Sequence, residues 1–178
     1  MNKPKLIILY GFAASGKTTL SKKYTAVHPL SMSIEVDQII GMLGQWRTHE
    51  AVAREIIFEQ AKCMIELHLA KGYDVILPYL LTNASHAESF KKVAERAQVD
   101  FFEIYIYLER EEAVKRLLER GVWGEDGSPK LSRNDLPEIE HLYNQMEISM
   151  SLRTNVKLLP STNNDIEGTY PELLRLVS

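Results

Sequence analysis

The stretch ILYGFAASGKTTLSKKY, residues 8–24, contains an apolar run that is followed by two glycines, a lysine and two threonines. Residues 11–18 of this stretch, GFAASGKT, fit the pattern G-x-x-x-x-G-K-[ST]. Glycines allow the backbone to turn tightly and to approach an anion without a Cβ in the way. Successive N–H groups then point at phosphate oxygens, and a helix that begins there adds further N–H groups and a partial positive charge. Because the pattern follows a predicted strand and opens a predicted helix, it predicts a nucleotide phosphate site rather than an ordinary glycine-rich turn.

Each fixed position of this loop has an expected partner. The Lys17 side chain is expected to reach the β- and γ-phosphates, and the Thr18 hydroxyl is expected to be a ligand of Mg²⁺. The stretch has no GxGxxG pattern, which argues against a dinucleotide fold, and the chain has no NKxD guanine signature. ATP and Mg²⁺ are therefore the expected cofactors. The predicted nucleotide-binding residues of the loop are Gly11, Phe12, Ala13, Ala14, Ser15, Gly16, Lys17, Thr18 and Thr19.

Composition predicts one globular domain over residues 1–178. Hydrophobic residues make up 45% of the chain and charged residues 25%, and the net charge of −3 with no long basic run argues against nucleic acid as a partner. The single cysteine, Cys63, lies in an apolar helical pattern, which favours a buried structural thiol. No CxxC or HExxH pattern suggests zinc, and no apolar stretch is long enough to span a membrane. We therefore expect no membrane partner and a cytoplasmic location, and the oligomeric state stays open.

Predicted strands alternate with predicted helices along the whole chain, a pattern typical of a parallel sheet with helices on both faces. A charged helix is predicted after the fourth strand, at about residues 110–120. Residues 121–134, which follow this helix, contain three glycines and a proline and show no periodicity, which predicts a loop. The predicted strands are residues 5–10, 32–36, 74–77, 101–108 and 156–159.

Asp37 is the first candidate for chemistry beyond the loop. It follows the predicted second strand, MSIEV, and ligands of such sheets bind outside the carboxyl ends of the strands. A carboxylate there could accept the proton of an attacking hydroxyl, orient that hydroxyl or help to position Mg²⁺. The alternative interpretation is that Asp37 is only the N-cap of a short helix that begins at Gln38.

Three arginines flank the predicted loop 121–134. Arg116 and Arg120 are four residues apart and so share a helix face, and Arg133 lies at the far end of the loop. A loop that closes over a bound triphosphate as a lid would exclude water and bring guanidinium groups to the developing charge. The alternative is that these are surface arginines, with Arg116 paired to Glu112 along the helix. Lys17, Asp37 and Arg120 are the predicted catalytic residues.

The third strand argues against a motor ATPase. Such enzymes are expected to have an apolar strand that ends in an acid, whereas this strand ends in Pro78 and Tyr79. That absence favours the smaller kinases.

With these residues in place, the chain resembles the P-loop small-molecule kinases, the nucleoside-monophosphate-kinase-like group that includes shikimate and gluconate kinases, chloramphenicol phosphotransferase and zeta toxins. The resemblance rests on residues 11–18, on Val36-Asp37 and on the arginine-containing segment 116–133. It implies a three-layer α/β/α P-loop fold, a five-stranded parallel sheet in the order 2-3-1-4-5 with a lid loop, the use of ATP and Mg²⁺, and a base at Asp37. The glycine-rich turn of shikimate kinase after strand three is missing, and Val36-Asp37 replaces the Gly-Asp step of gluconate kinase, so neither specificity carries over.

The pocket for a phosphoryl acceptor is expected between Asp37, the helix that begins at Thr48 and the end of the third strand. Aromatic and amide side chains there would suit a sugar-like or aromatic hydroxyl compound, and arginines would suit one that carries an acid. The resemblance also implies that residues 161–168 border the base of the nucleotide. Candidate acceptor-pocket residues besides Asp37 are Trp46, Arg47, Arg54, Tyr79, Thr82 and Asn83.

The function that these observations favour is ATP-dependent transfer of the γ-phosphoryl group to a hydroxyl of a small molecule, such as a metabolite, a sugar, a nucleoside or an antibiotic. Two alternatives stay open. One is a regulatory protein that binds ATP without phosphorylating a small molecule. The other is a polynucleotide-end kinase, against which the acidic net charge argues.

Overall fold

The sheet forms the centre of the computed structural model, which describes residues 3–124, 128–161 and 166–178. The strands lie in the order β2-β3-β1-β4-β5, and every neighbouring pair is parallel. This order confirms the predicted five-stranded parallel sheet with the order 2-3-1-4-5. The strands are β1 (Lys5–Tyr10), β2 (Met32–Ser33), β3 (Val75–Tyr79), β4 (Asp100–Tyr107) and β5 (Lys157–Pro160).

Helices cover both faces of this sheet, as the alternation of strands and helices predicts. Short 3-10 turns at Ile40–Met42 and Trp46–His49 lead into the longest helix, and a third at Arg133–Asp135 precedes α6. None of the described helices is both long and apolar enough to cross a membrane. The helices are α1 (Lys17–Val27), α2 (Val36–Ile39), α3 (Glu50–Leu69), α4 (Ala84–Ala97), α5 (Arg110–Arg120), α6 (Leu136–Ser151) and α7 (Ile166–Leu176).

Strand β1 lies at the centre of the core, and residues 6–10 have no exposed surface. Its side chains alternate between the two faces of the sheet. Leu6, Ile8 and Tyr10 pack in the cluster that includes residues of α3, α4 and α6, whereas Ile7 and Leu9 pack in the cluster that includes residues of α1 and α7. Burial on both faces explains why β1 is a continuous apolar run in the sequence.

The register of the central strands brings their carboxyl ends to one edge. Tyr10, the last residue of β1, pairs with Tyr79 of β3 and with Tyr105 of β4. Gly11 follows directly, so the predicted phosphate loop and the residues that follow β3 leave the sheet together. This edge is where ligands bind in open parallel sheets.

The predicted second strand is too long. Only Met32 and Ser33 form the ladder of β2, and Ile34 adds one backbone bond of 3.1 Å from its N–H to the Ile76 carbonyl. A helical bond of 3.0 Å from the Gln38 N–H to the Glu35 carbonyl then begins α2. Asp37 therefore lies in the first turn of a helix, where a carboxylate is favourable, and it is neither the end of a strand nor an N-cap.

Two further expectations differ from the structure. Cys63 is exposed on α3, so the predicted buried thiol is wrong. The long helix begins at Glu50 rather than at Thr48, because Thr48 belongs to the preceding 3-10 turn and its hydroxyl donates 2.8 Å to the Gln45 carbonyl.

Candidate functional site

The loop between β1 and α1 has the backbone of an anion cradle. Gly11 has φ +154° and Gly16 has φ +94°, conformations that L side chains rarely adopt. A Cβ on Gly11 would lie 2.7 Å from Ser15 Oγ and 2.9 Å from the Ile106 carbonyl oxygen. The first glycine of the pattern is thus required by close packing against β4 as well as by its dihedral angle.

The start of α1 presents donors without a side-chain cap. Gly16 occupies the N-cap position, no described side chain caps this end, and the first turn contains no acid. The first helical backbone bond runs from the Leu20 N–H to the Gly16 carbonyl, at 3.0 Å. Ser15 Oγ is buried and has no partner among the described residues. Uncapped N–H groups and a hydroxyl without a partner fit a phosphate group, since an unsatisfied buried donor is costly.

Lys17 folds back over this loop. Its ammonium group donates to the Gly11 carbonyl oxygen at 2.8 Å and to the Phe12 carbonyl oxygen at 2.7 Å. Burial lowers the pKa of Lys17 to about 8, while the charge of Asp37 acts to raise this pKa and the charge of Arg120 acts to lower it. The structure therefore brings the three side chains predicted to be catalytic into one electrostatic neighbourhood.

Thr18 and Thr19 differ in their surroundings. Thr18 is half-buried and Thr19 is exposed. The Ser21 hydroxyl donates to the Thr18 carbonyl at 2.9 Å, and the Ser33 hydroxyl donates to Ser21 Oγ at 3.0 Å, which links α1 to β2. This link fixes the turn from which the Thr18 hydroxyl could contribute a hard oxygen ligand to Mg²⁺.

Asp37 lies near both Lys17 and the end of β3. The residue is exposed in the first turn of α2. Burial raises the pKa of Tyr79, the last residue of β3, and the charge of Asp37 raises it further, whereas Arg54 acts in the opposite direction. The charges of Asp37 and Arg54 thus both act on Tyr79, and the acceptor pocket at these residues stays a prediction.

The three candidate arginines have different surroundings. Arg116 is buried, and its Nε donates to Glu112 Oε1 at 2.7 Å while its Nη1 donates to Ser161 Oγ at 3.3 Å, so the pairing with Glu112 exists. Arg120 is exposed and donates to the carbonyls of Val122 and Trp123. Arg133 lines a cavity of about 670 Å³ between α5 and α6.

The candidate acceptor residues separate into two groups. Trp46 is buried in a cluster with Ile40, Ala53 and Ile57, and the Arg47 guanidinium lies 4.4 Å from the centre of the Trp46 ring. Residues 38 and 41–48 line a cavity of about 660 Å³ there. The other group comprises Arg54, whose Nε donates to Glu50 at 2.8 Å, and Tyr79. The charge of Asp37 acts on Tyr79, whereas the cavity beside Trp46 is lined by Gln38, the residue that follows Asp37.

Thr82 and Asn83 follow β3. Thr82 is half-buried, but Asn83 is the N-cap of α4, and its Oδ1 accepts from the Ser85 N–H at 3.0 Å and from the Ser85 hydroxyl at 2.8 Å. The side-chain oxygen of Asn83 thus caps α4, which is a structural role. His86, which the sequence did not indicate, contacts Tyr79, since its Nδ1 lies 2.7 Å from the Tyr79 hydroxyl.

Two predicted segments extend beyond the described residues. Residues 125–127 of the predicted lid at 121–134 and residues 162–165 of the predicted base-binding segment at 161–168 lie outside them.

Comparison with known proteins agrees with this fold. A family model described as an AAA domain matches residues 6–135. A gluconokinase from Sinorhizobium meliloti 1021 superposes with a TM-score of 0.62 and 14% identity over 98% of this chain and 92% of that chain. The tunicamycin resistance protein of Deinococcus radiodurans superposes with a TM-score of 0.66 and 10% identity, over 99% of this chain and 96% of that chain. Both likenesses concern the fold.

A third similar structure belongs to the Pnkp1/Rnl/Hen1 RNA repair complex, with a TM-score of 0.66 and 17% identity. The match covers 87% of this chain but 48% of that chain, so this protein spans about half of that relative. The search of curated proteins gave no match. The shared fold confirms the resemblance to P-loop small-molecule kinases at the level of the fold. Because the family model covers most of its length, the chain belongs to the AAA domain family.

Proposed function

We propose that this protein is an ATP-dependent kinase that transfers the γ-phosphoryl group to a hydroxyl of a small molecule. The observation that supports this most is that Asp37 lies near enough to the Lys17 ammonium for its charge to raise the pKa of the lysine. A carboxylate on the acceptor side of a phosphate loop is positioned to receive or orient a hydroxyl.

The loop and Lys17 are proposed to hold the triphosphate. Phosphate oxygens would take the place of the Gly11 and Phe12 carbonyls as partners of the ammonium, and the N–H groups at the start of α1 would bind the same oxygens. Thr18 would hold Mg²⁺, which supplies charge neutralisation of the phosphates. Arg120, whose charge already acts on Lys17, would face the transferred group.

Asp37 is proposed to orient the acceptor hydroxyl and to take its proton as transfer proceeds. The acceptor oxygen forms a bond to the γ-phosphorus while the bond to the β,γ-bridging oxygen breaks, and ADP leaves. We further propose that residues 121–134 close over the nucleotide as a lid, that residues 1–178 act as a single domain, and that the enzyme works in the cytoplasm.

Phosphorylation assays test this proposal. Purified protein is incubated with ATP, Mg²⁺ and a panel of sugars, polyols, nucleosides and hydroxyl-bearing antibiotics, and transfer of labelled phosphate is measured. Asp37→Asn should lower kcat by roughly 100-fold or more, as loss of a general base typically does. Asp100→Asn is the matched control, because Asp100 is at the amino end of β4, where it pairs with Lys3 at 2.8 Å. Equal activity of Asp37→Asn and wild type would refute the proposal.

A polynucleotide-end kinase is the second candidate, because one similar structure belongs to an RNA repair complex. The net charge of −3 counts against it. Phosphorylation of 5′-hydroxyl oligonucleotides in preference to the small-molecule panel, with an affinity that falls steeply with salt, would favour this candidate. Tight ATP binding with no transfer to any acceptor would instead indicate a regulatory protein.

A further inference from the structure

Four aromatic rings surround the end of β3. The Phe58 ring of α3 stacks on the His86 ring of α4 with centroids 4.1 Å apart. Phe90 packs edge-on against both Phe58 and Tyr79, with centroids 5.3 Å apart in each case. The preceding residue, Pro78, is buried, and its ring restricts the backbone. Tyr79 is therefore held between a rigid backbone and a packed ring cluster.

The hydroxyl of Tyr79 has a partner behind it. Tyr79 Oη lies 2.7 Å from Nδ1 of His86. Burial and the nearby Lys62 charge lower the pKa of His86, which favours the neutral form of its imidazole. A phenol is a better donor than a neutral imidazole N–H, and an imidazole nitrogen is a better acceptor than a phenol oxygen. The favoured arrangement is thus donation from Tyr79 to His86, with the imidazole hydrogen on Nε2.

This arrangement determines which hydrogen bonds the Tyr79 oxygen can still form. Its only hydrogen is directed at His86, so the lone pairs of its oxygen remain for another molecule. The charges that act on Tyr79 are those of Asp37 from α2 and Arg54 from α3, and both belong to the candidate acceptor site. Tyr79 pairs with Tyr10, one residue before the phosphate loop, so the hydroxyl is on an element that ends beside the transferred group.

We propose that the Tyr79 oxygen accepts a hydrogen bond from a second donor group of the acceptor molecule, and that His86 is the positioning residue that fixes this polarity. This inference rests on the proposed kinase function. The hydroxyl to be phosphorylated donates to Asp37, while a further hydroxyl or an amino group of the same molecule donates to Tyr79. The substrate class is therefore polyols and amino alcohols, and a compound with a single hydroxyl leaves the Tyr79 oxygen without its partner.

Matched acceptors and variants test the substrate class. Phosphate transfer from ATP is measured for glycerol against 1-propanol, for myo-inositol against cyclohexanol and for 2-aminoethanol against ethanol. Tyr79→Phe removes the oxygen. His86→Phe keeps a ring to stack on Phe58 but removes the acceptor nitrogen, whereas His86→Asn removes the ring but keeps an acceptor atom near the Nδ1 position.

The wild type should prefer the compounds with two donors by at least about tenfold in kcat/KM. Tyr79→Phe and His86→Phe should lose this preference through a higher KM for the acceptor, with the KM for ATP unchanged, and His86→Asn should retain it. Equal use of single-hydroxyl compounds, still dependent on Asp37, would overturn this inference and leave the kinase proposal standing. Absence of transfer to all six compounds, with transfer to a single-hydroxyl member of the wider panel, would overturn this inference alone, whereas absence of transfer to the six compounds and to the whole panel would overturn both. Loss of the preference in His86→Asn with retention in His86→Phe would assign His86 a packing role and overturn the inference.

A second measurement needs no acceptor. Nitrogen-15 NMR of the histidine side chains at pH 7 reports which ring nitrogen carries the hydrogen. We expect an unprotonated Nδ1 and a protonated Nε2 for His86. A hydrogen on Nδ1 would reverse the polarity of the Tyr79 hydrogen bond and overturn the inference even if kinase activity is found.

Discussion

The Lys17 ammonium donates a hydrogen bond of 2.7 Å to the Phe12 carbonyl oxygen, so the lysine side chain binds the backbone of its own loop. A second bond of 2.8 Å reaches the Gly11 carbonyl oxygen. Both bonds hold the ammonium against the backbone of the loop that is proposed to bind phosphate. In the proposed complex, phosphate oxygens replace the carbonyl partners, and charge-assisted hydrogen bonds of that kind are the stronger ones.

Removing this ammonium should weaken ATP binding more than it weakens the fold. We expect Lys17→Met to raise the Kd for ATP by roughly 10- to 100-fold, because a hydrogen bond to a charged group contributes about 1.5 to 3 kcal/mol. Isothermal titration calorimetry measures the change. Lys22→Met is the control, since Lys22 is exposed and pairs with Glu35 at 3.6 Å, and it should bind ATP as the wild type does. Similar affinities for Lys17→Met and Lys22→Met would contradict the assigned role.

Nucleotide affinity should fall at alkaline pH. The pKa of Lys17 is about 8 because burial disfavours the charged form. The cation is present below this pH and is lost above it, so the affinity for ATP should be constant up to about pH 7 and then decline, by at most about tenfold per pH unit. Titrations from pH 6.5 to 9.5 measure the decline. Lys17→Met should not show it, and a flat profile in the wild type would rule out Lys17 as the titrating group.

Lys17 should make the free energy of unfolding increase with pH, whereas it makes the affinity for ATP decrease. Its pKa is about 8 in the folded protein against 10.5 for an unperturbed lysine, so the unfolded chain binds more protons between these values. Stability therefore gains from Lys17 as pH rises through this window. The free energy of unfolding of the wild type minus that of Lys17→Met, from urea denaturation without nucleotide at pH 7.5 and pH 9.5, should increase. A difference that decreases or does not change would refute this assignment.

The phosphate loop and the central strands were predictable because each depends on local sequence. A strand buried on both faces must be apolar throughout, and the glycine pattern that follows has few structural alternatives. Strand β2 was predicted less well. The alternation of Met32, Ile34 and Val36 suggests a strand, yet β2 pairs only with β3 at the edge of the sheet, and a helix begins within three residues. An edge strand pairs on one side only, so the alternation of apolar residues does not determine how far such a strand extends.

Cys63 and His86 show two other limits of the sequence. The buried positions of α3 recur every four residues, at Ala53, Ile57, Ala61, Ile65 and Leu69. Cys63 is two residues from Ala61, which places it about 200° around the helix, so the four-residue period of the apolar positions itself indicates that Cys63 is exposed. His86 is a different case. Its contact with Tyr79 joins a helix to a strand and depends on how α3 and α4 pack, which no local pattern specifies.

Gly11→Ala should destabilise the protein. The added Cβ would lie 2.7 Å from Ser15 Oγ and 2.9 Å from the Ile106 carbonyl oxygen, and the backbone of β4 has no freedom to withdraw. Overpacking of this kind costs about 1 to 3 kcal/mol. Gly44→Ala is the matched control, because nothing lies within 4 Å of its added Cβ, and it should change the free energy of unfolding by less than about 0.5 kcal/mol. Equal unfolding midpoints in urea for the two variants would contradict the packing at Gly11.

The buried ion pair between Arg153 and Glu103 should contribute strongly to the free energy of unfolding. Arg153 donates to Glu103 through Nε at 3.0 Å and Nη2 at 2.8 Å, and the Tyr10 hydroxyl donates to the same carboxylate at 3.2 Å. Arg153→Met leaves the Glu103 charge buried with one neutral donor, which should cost about 3 to 5 kcal/mol. Arg175→Met is the control, since the Arg175 side chain is 71% exposed, and it should cost less than about 0.5 kcal/mol.

The double variant separates the loss of attraction from the penalty of an unpaired charge. Glu103→Gln in the Arg153→Met background removes the uncompensated carboxylate while the amide oxygen still accepts from Tyr10. If desolvation of the charge is the main cost, the double variant should be more stable than Arg153→Met alone, since replacing both members of a buried pair is tolerated better than removing one. Urea denaturation of the wild type, Arg153→Met, Glu103→Gln and the double variant completes the double-mutant cycle. A double variant less stable than Arg153→Met would mean that the Glu103 carboxylate stabilises the fold even without its arginine.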